Sequence, residues 1–327
     1  MSQSSPSGGG LIRRRRSVLA AVVVLPWAVW AVIRWFGLET GYPLVPALAF
    51  TPYVAATAIV PVAVALLLRR WGAAAVAVAV AASLVVAVLP RAVAAPQPDP
   101  APTGPQLRVM TINLYFGEAD PGTVVELVRQ THIDVLSVQE LTPEAVADLD
   151  QAGLGETLGY ALLEERSGAA GGGIYSRYPL TSVGGSTAQH FAMPRAALRV
   201  PGAAPLEVVS AHPVPPTGPV TVDEWEESLA ALPEATPEAT ARILAGDFNA
   251  TLDHGHLRDL IASGYVDAAG AAGRGWSPTW PQDGGLPGVT IDHILVDSRV
   301  KVDETRVYPL PGTDHRAVHA ELTLPGT

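Results

Sequence analysis

The stretch Ala241–Ala250, ARILAGDFNA, combines a short aliphatic run with an acidic residue and an amide at its end. Aliphatic residues such as Ile243 and Leu244, bounded by turn-forming residues, are typical of a buried β-strand. Asp247 and Asn249 stand two residues apart, so both side chains point the same way if the chain is extended. A carboxylate beside an amide can orient a water molecule. The stretch therefore predicts a strand that delivers two catalytic side chains to the edge of a sheet.

The same pattern recurs on both sides of this stretch. The polar residues concerned are Asn113 in RVMTIN, Glu140 in VLSVQE, His212 in EVVSAH, Asp292 in VTIDHILV, and Asp314 and His315 in GTDHRAV. Strand ends in a sheet sandwich can converge on one mouth, where such residues would form a single cluster. Mg²⁺ prefers carboxylate and water oxygens, and imidazoles can donate to phosphate oxygens. The sequence therefore predicts a metal and phosphate site.

Apolar runs and turn residues between 106 and 327 predict a mixed α/β fold. Strands are predicted at Leu107–Leu114, Val135–Val138, Gly173–Tyr175, Ala196–Val200, Leu206–Ala211, Arg242–Ala245, Thr290–Val296, Val300–Tyr308 and Ala317–Leu322. Helices are predicted at Pro121–Gln130, Pro143–Leu149, Val222–Leu232 and Gly255–Ser263. Because strands outnumber helices and the two are interspersed, we expect two packed sheets with helices outside rather than a purely parallel sheet.

Charge divides the chain into two regions with different solvents. Residues 1–95 carry eight arginines and one acidic residue, a balance of +7, which leaves 13 basic and 30 acidic residues, a balance of −17, in 96–327. Such an acidic region argues against a non-specific nucleic-acid binder, which normally presents a basic surface. The chain has no cysteine, so a thiolate metal site is excluded and any metal must be held by oxygen or imidazole.

Three uncharged apolar segments in the first 95 residues, Ser17–Ile33, Tyr42–Leu68 and Trp71–Pro90, predict a membrane anchor of three helices. We divide the chain into a basic N-terminus (1–16), the anchor (17–91), a Pro- and Ala-rich linker (92–105) and a catalytic domain (106–327). A signal peptide is the alternative for the first segment, and an Ala-x-Ala pattern at Ala92–Ala94 leaves release of the soluble part open.

The arginines predict the orientation of this anchor. Arg13–Arg16 and Arg69–Arg70 would share one side of the membrane, and Arg34 and Arg91 the other. Six basic residues against two place the first group in the cytoplasm. An odd number of spans then predicts a multi-pass protein of the cell membrane whose catalytic domain lies outside the cytoplasm.

Seven motifs of the soluble part resemble the endonuclease/exonuclease/phosphatase superfamily. In order they are TINLYFG, SVQEL, GGIYSRYPL, SAHP, GDFNA, IDHILV and TDHRAV. This superfamily includes deoxyribonuclease-I-like nucleases, inositol-phosphate phosphatases and neutral sphingomyelinases. The resemblance extends over about residues 107–323. It implies a four-layered α/β sandwich and a Mg²⁺-dependent hydrolase, with Mn²⁺ as an alternative ion, acting on phosphoric ester or phosphoanhydride bonds.

The resemblance also implies a role for each motif residue. Glu140 would be the principal metal ligand, Asp314 would complete the metal side, and Asn113 would contact both metal and substrate. The catalytic residues would be Asp247 and Asn249, which hold the attacking water, His212 and His315, which donate to the phosphate, and Asp292, which fixes the tautomer of His315.

Six other polar residues are not placed among the catalytic residues or the metal ligands. Arg195 is a candidate phosphate contact, with a plain salt bridge as the equal alternative. His293 is expected to be structural. Asp297, His254, His256 and His319 are expected at the surface rather than as ligands.

The substrate remains open among three hypotheses. Three spans followed by this domain resemble VanJ-type teicoplanin-resistance membrane proteins of actinobacteria, which implies removal of phosphate from undecaprenyl pyrophosphate and a role in glycopeptide-antibiotic resistance. A nuclease acting on DNA outside the cytoplasm is the second hypothesis, and a non-catalytic membrane receptor is the third. The partners we expect are the lipid bilayer and a phosphorylated, lipid-linked substrate. We predict no protein partner.

Overall fold

The computed structural model describes residues 8–96, 98–185 and 191–327, so part of the predicted N-terminal segment 1–16 lies outside the described residues. The chain forms two compact units. Among the described residues, one unit consists of those up to Glu39 together with Phe50–Leu89, and the other of those in Thr40–Ala49 and Pro90–Thr327. The second unit is longer than the predicted domain 106–327, because it also takes in Thr40–Ala49, most of which belongs to the second apolar segment, and residues 90–105, which include the whole linker.

The first apolar region contains two continuous helices long enough to cross a membrane, Arg13–Phe36 and Trp71–Ala92. The prediction of three such helices is wrong for the middle segment. There the chain is broken into the pair Leu44–Thr57 and Ile59–Leu67, bent by 42°, which would make a third span only if the pair crosses as one. Pro61 explains the break, because it has no N–H to donate to the carbonyl of Thr57 one turn earlier.

Within this unit the two long helices run in the same direction. Arg70 donates a hydrogen bond to the backbone oxygen of Arg13, near the start of both helices. At the other end, the Nη2 atom of Arg34 lies 3.5 Å from the backbone oxygen of Ala87. The chain therefore returns between them through residues 50–67.

The helices and strands have the following bounds. The helices are α1 (Gly8–Phe36), α2 (Leu44–Ala47), α3 (Thr51–Thr57), α4 (Ile59–Leu67), α5 (Trp71–Val88), α6 (Pro121–Gln130), α7 (Pro143–Gln151), α8 (Leu154–Thr157), α9 (Pro219–Ala230), α10 (Gly255–Ala262) and α11 (Ala268–Ala271). The strands are β1 (Gln106–Asn113), β2 (Val135–Gln139), β3 (Tyr160–Glu164), β4 (Gly172–Ser176), β5 (Leu180–Gly185), β6 (Pro194–Leu198), β7 (Leu206–Ala211), β8 (Ala241–Asp247), β9 (Tyr265–Asp267), β10 (Asp292–Asp297), β11 (Lys301–Tyr308) and β12 (Ala317–Thr323).

The second unit is built on two six-stranded sheets with the same internal plan. Their strand orders are β11-β12-β1-β2-β4-β3 and β5-β6-β7-β8-β10-β9. In each sheet the central pair, β1–β2 or β7–β8, is parallel, and every other pairing is antiparallel. Parallel neighbours end on the same side of a sheet, so each sheet brings two strand ends together.

Three apolar clusters give the unit its layers. Val109, Val208 and Ile243 belong to the cluster between the sheets, which includes residues of both. A second cluster joins the other face of the first sheet to α6 and α7, and a third joins the second sheet to α9 and α10. Burying one such aliphatic side chain stabilises the fold by about 1.5–3 kcal/mol. The predicted sandwich of two packed mixed sheets flanked by helices is confirmed.

Candidate active site

Four predicted residues stand at the ends of the two central parallel pairs. Asn113 ends β1 and Glu140 follows β2, while His212 follows β7 and Asp247 ends β8. The first pair comes from one sheet and the second pair from the other. The packing of the two sheets therefore brings together side chains that lie far apart in the sequence.

The amide of Asn113 connects the two sheets at this point. Its Nδ2 atom donates to Oε1 of Glu140 at 3.0 Å and to Oδ2 of Asp247 at 3.1 Å. Its Oδ1 atom accepts a hydrogen bond from the backbone N–H of Tyr115 at 2.9 Å. One buried amide thus fixes the separation of two carboxylates that would otherwise repel each other.

Glu140 is held by a backbone in an uncommon conformation. Its second oxygen, Oε2, accepts from the N–H of Phe116 at 2.7 Å. Tyr115, Phe116 and Glu140 all have positive φ values, of 48°, 56° and 56°. Such non-glycine residues cost free energy and occur where a functional site requires them. Burial raises the pKa of Glu140, although the bond from Asn113 opposes this effect.

Asp247 ends β8 and Asn249 follows it, at a point where the backbone is no longer extended. The backbone N–H of Asn249 donates to Oδ1 of Asp247 at 2.8 Å, and its Nδ2 atom donates to the carbonyl of Pro213 at 3.0 Å. Asn249 also has a positive φ of 48°. Burial, followed by the nearby charge of Asp292, raises the pKa of Asp247 to about 7. The carboxylate is therefore a stronger proton acceptor than an exposed aspartate.

His315 and Asp292 form a buried pair. The Nδ1 atom of His315 lies 3.1 and 2.9 Å from the two oxygens of Asp292. Its Nε2 atom points the other way and lies 3.7 Å from Oδ2 of Asp247. Burial alone would lower the pKa of His315, but Asp292 and Asp247 outweigh that effect and raise it to about 10. His315 therefore carries a proton that it can donate from Nε2.

His212 has the opposite protonation state. It is buried, its Nε2 atom lies 4.0 Å from Oδ2 of Asp247, and its ring packs 4.8 Å from that of Phe191. Burial and the charge of His315 lower the pKa of His212 to about 3, so the ring is neutral. Its Nδ1 atom has no hydrogen-bond partner among the described residues.

Asp314 extends the site beyond His315. Its Oδ2 atom accepts from Nε1 of Trp280 at 2.8 Å, whereas its buried Oδ1 atom has no partner in the described part of the chain. The Oδ1 atom lies 3.8 Å from Nε2 of His315. Glu140 and Asp314 are close enough for their charges to interact. A carboxylate with an unsatisfied oxygen offers the kind of ligand atom that a hard divalent cation takes.

Asp247, Asp292 and His315 also lie close enough together to hold a metal ion, with ligand atoms within 4.8 Å of one another. Their hydrogen bonds argue for another arrangement. Nδ1 of His315 binds both oxygens of Asp292, and the protonated ring already supplies a positive charge. A cation there would have to displace that proton.

Arg195 is not brought into this cluster. Its guanidinium donates to Oε2 of Glu207, with Nε at 3.0 Å, and Arg242 donates to the same oxygen at 2.7 Å. The strand register explains this arrangement, because Arg195 pairs with Val209 and so lies diagonally across from Glu207. Of the two alternatives from the sequence, the structure therefore shows the salt bridge.

Three residues expected at the surface are buried instead. Asp297, His254 and His319 are at most 3% exposed, whereas His256 is exposed as predicted. The carboxylate of the buried Asp297 forms an ion pair with Arg299, with Oδ2 2.7 Å from Nη2. His293 is structural as expected, with Nδ1 2.9 Å from Asp267 and Nε2 2.9 Å from the carbonyl of Ala250.

Two threonines, Thr313 and Thr279, connect the parts of the site, and sequence reasoning missed the first of them. Oγ1 of Thr313 donates to the carbonyl of Asn113 at 2.9 Å and accepts from the N–H of His315 at 3.0 Å. Oγ1 of Thr279 accepts from the N–H groups of Ile291 and Asp292. The signal for Thr313 was its place directly before the Asp314–His315 pair.

Fold and site together define a class of α/β sandwich hydrolases that act on phosphate esters. Residues 110–315 match the model of the Endonuclease/Exonuclease/phosphatase family, and the chain belongs to this family. Among curated proteins, none matches the chain significantly.

Solved structures share the fold at low sequence identity. An endonuclease/exonuclease/phosphatase from Beutenbergia cavernae has 19% identity and a TM-score of 0.53, covering 68% of this chain and 72% of its own. D. rerio TDP2 complexed with a single-strand DNA product has 18% identity and a TM-score of 0.53, covering 67% and 99%. The 3′ phosphatase NExo from Neisseria, bound to a product DNA hairpin, has 19% identity and a TM-score of 0.51, covering 65% and 98%. At these identities the likeness shows the fold alone.

Proposed function

We propose that this protein is a Mg²⁺-dependent phosphoesterase of the cell membrane that hydrolyses a phosphate ester or pyrophosphate of a membrane lipid. The observation that carries the proposal is the meeting of Asn113, Glu140, Asp247 and His315 around one buried point. A non-catalytic receptor would not need a raised pKa on Asp247 and a protonated histidine beside it.

The charges and hydrogen bonds assign a task to each residue. Asp247 is buried, its pKa is raised, and Asn249 is fixed next to it, so the pair can orient a water and accept its proton. Protonated His315 donates from Nε2 to a phosphate oxygen, and Asp292 keeps the ring in that orientation. Neutral His212 supplies a further donor from the opposite sheet.

Glu140 and Asp314 would hold the cation, as predicted from the motifs. A bound Mg²⁺ supplies neutralising charge to the phosphate oxygens and to the leaving oxygen. Asn113, whose amide nitrogen faces both Glu140 and Asp247, keeps the metal side and the water side of the site in register.

Two observations support a lipid as the substrate. The chain carries two helices able to cross a membrane, and a tether of this kind raises the local concentration of a lipid substrate. Beside Glu140, Tyr115 and Phe116 are 38% and 49% exposed and pack edge to face, with ring centroids 5.2 Å apart. Exposed aromatic rings next to a phosphate site suit a substrate with an apolar tail. Undecaprenyl pyrophosphate is the specific candidate, through the likeness in layout to VanJ-type proteins.

A DNA phosphoesterase is the second candidate, favoured by the DNA-bound structures of TDP2 and NExo. The acidic balance of −17 in residues 96–327 disfavours it, because a polyanion would be repelled without a basic surface. We also propose that the catalytic domain lies outside the cytoplasm, because most arginines of the first 95 residues fall on the opposite side of the predicted anchor.

A substrate panel tests these alternatives. Full-length protein in detergent micelles with Mg²⁺ is given a polyprenyl pyrophosphate, a sugar phosphate and plasmid DNA, and phosphate release or nicking is measured. We expect turnover of the polyprenyl pyrophosphate, lost on adding EDTA. Glu140→Ala should abolish it, while Glu304→Ala, which removes a half-exposed carboxylate on the edge strand β11, should not. Faster nicking of DNA than lipid hydrolysis would overturn the lipid assignment.

A further inference from the structure

Two segments outside the family domain are built into the unit that carries the active site. Thr40–Ala49 and residues 90–95, which join the anchor to the linker, belong to this unit, although the family match begins only at residue 110. Ala95 donates to the carbonyl of Ala271 at 2.9 Å, and the carbonyl of Arg91 accepts from Gly275 at 3.0 Å. These segments are therefore part of the folded unit and not a free spacer.

The first segment packs behind the loop that carries Asp247 and Asn249. Val45 is completely buried in the cluster that contains Trp225 and Phe248, and Phe248 is the residue between Asp247 and Asn249. Replacing Val45 would therefore loosen the packing around Phe248, which is the neighbour in the chain of both Asp247 and Asn249.

A histidine connects the same segment to the end of this loop. Nε2 of His254 lies 2.9 Å from the carbonyl of Val45, and Nδ1 accepts from the N–H of Thr251 at 2.9 Å. Because Nδ1 accepts, Nε2 must carry the hydrogen and donate to Val45. One buried ring thus holds the turn Thr251–His254 against the segment.

An ion pair makes the second connection. Nη1 and Nη2 of Arg91 donate to the two oxygens of Asp253 at 2.8 and 2.5 Å. The Asp253 side chain is completely buried and that of Arg91 is 9% exposed. A bidentate pair of this kind fixes orientation as well as distance. Asp253 is six residues after Asp247, in the loop that leads away from β8.

We propose that Arg91 and Val45 are positioning residues for Asp247 and Asn249, so that the catalytic loop is supported by the segments connecting it to the apolar helices. The inference rests on the proposed phosphoesterase function, since Asp247 and Asn249 are its water-orienting pair. Support of the loop fixes the distance between the side chains of Asp247 and His315. A misplacement of a catalytic group by 1 Å can lower a rate by about 100-fold.

The test uses the full-length protein in detergent and removes both charges at once. Arg91→Met alone would take the arginine away from a completely buried carboxylate, and the chain could unfold. The double variant Arg91→Met/Asp253→Leu avoids this. We expect kcat to fall about 10-fold or more with KM changed by less than about 2-fold, and amide hydrogen exchange in 247–254 to become faster.

Arg299→Met/Asp297→Leu is the matched control. It removes another arginine pair to a buried aspartate, at the far end of β10, roughly 17 Å along the strand from Asp292. We expect neither kcat nor exchange in 247–254 to change. Unaltered exchange in 247–254 of the first variant, or faster exchange with unaltered kcat, would overturn the proposal. If the wild type hydrolyses none of the phosphoesters, the proposed function fails while the exchange comparison still decides whether Arg91 supports the loop.

Discussion

At the scale of single residues, the site depends on a histidine kept protonated by its neighbours. Burial works against the charge of His315, yet Asp292 and Asp247 raise its pKa to about 10. Donation to phosphate therefore remains available throughout the neutral range. The other imidazole of the site, His212, is neutral, so the histidine that follows β7 and the histidine that precedes β12 have different protonation states.

Asp292→Asn should make activity sensitive to pH in the neutral range. Without the attraction of Asp292, the pKa of His315 should fall toward its usual value of about 6.5. The variant's kcat is then expected to decline as pH rises through about 7, because the donating form is lost, while wild-type kcat does not decline from this cause below about pH 9. Profiles of kcat from pH 6 to 9 measure this.

Asp267→Asn is the control for that profile. It removes the carboxylate that lies 2.9 Å from Nδ1 of another buried histidine, His293, whose role is structural. Its kcat should follow the wild-type pH dependence. Identical profiles for all three proteins would show that His315 is not the donor.

The aromatic pair beside Glu140 should affect lipid substrates selectively. Tyr115→Ser/Phe116→Ser removes the exposed rings but keeps the N–H of Phe116 that binds Glu140. Losing the contact between these rings and an apolar tail weakens the binding free energy by about 1.4 kcal/mol or more. We therefore expect KM for a polyprenyl pyrophosphate to rise about 10-fold. KM for p-nitrophenyl phosphate should not change. Tyr160→Ser, on the edge strand β3, should alter neither value.

At the scale of strands and helices, the two parallel pairs define the site and require close backbone approach. A Cβ atom on Gly246 would lie 1.8 Å from the carbonyl oxygen of Ala211, in the neighbouring strand β7. Gly246→Ala should therefore separate β7 from β8 and destabilise the domain by about 1–3 kcal/mol. Urea unfolding followed by tryptophan fluorescence measures the loss.

Gly122→Ala is the matched substitution. Its added Cβ would meet no atom closer than 3.6 Å, at the start of α6. We expect stability equal to or slightly above that of the wild type, because alanine favours the helix. Equal destabilisation by both substitutions would contradict the account of β7 and β8.

The sequence predicted the interior strands and missed three strands at the sheet edges. β3, β5 and β9 are edge strands. An interior strand is covered on both faces, which produces an apolar run such as Val135–Gln139, where every residue is buried. An edge strand is partly exposed, and Tyr160–Glu164 has no fully buried residue. Its pattern therefore gives little indication of a strand.

The candidate site was predictable because strand ends carry its residues in recognisable motifs. The positions of Asn113, Glu140, Asp247 and His315 around one point agree with that expectation. Arg195 could not be decided in advance, because its partner Glu207 is set by strand register. The pair Arg91–Asp253 joins residues 162 apart, and nothing in the local sequence indicates such a contact.

At the scale of the whole molecule, the parallel course of α1 and α5 bears on topology. Two helices that run in the same direction require the chain to return between them, and residues 50–67 provide that return. On the proposed topology, with the arginine-rich end in the cytoplasm, both helices would lead out of the cytoplasm.

A reporter after Thr327 tests this topology. Alkaline phosphatase, which is active only outside the cytoplasm, should be active there, and green fluorescent protein, which folds in the cytoplasm, should be dark. The same reporters placed after Arg70 should give the reverse result. A fluorescent C-terminal fusion would exclude a catalytic domain outside the cytoplasm.

The pairing of β1 with β12 has a consequence for the order of events during synthesis. β1 lies between β2 and β12. The carbonyl of Asn113 accepts a hydrogen bond from the hydroxyl of Thr313, which is synthesised 200 residues later. Contacts of such long sequence separation form late. A ribosome that stalls before Thr313 therefore leaves a chain in which β1 lacks its partner β12 and from which the protonated His315 is missing, so we expect such a product to be inactive.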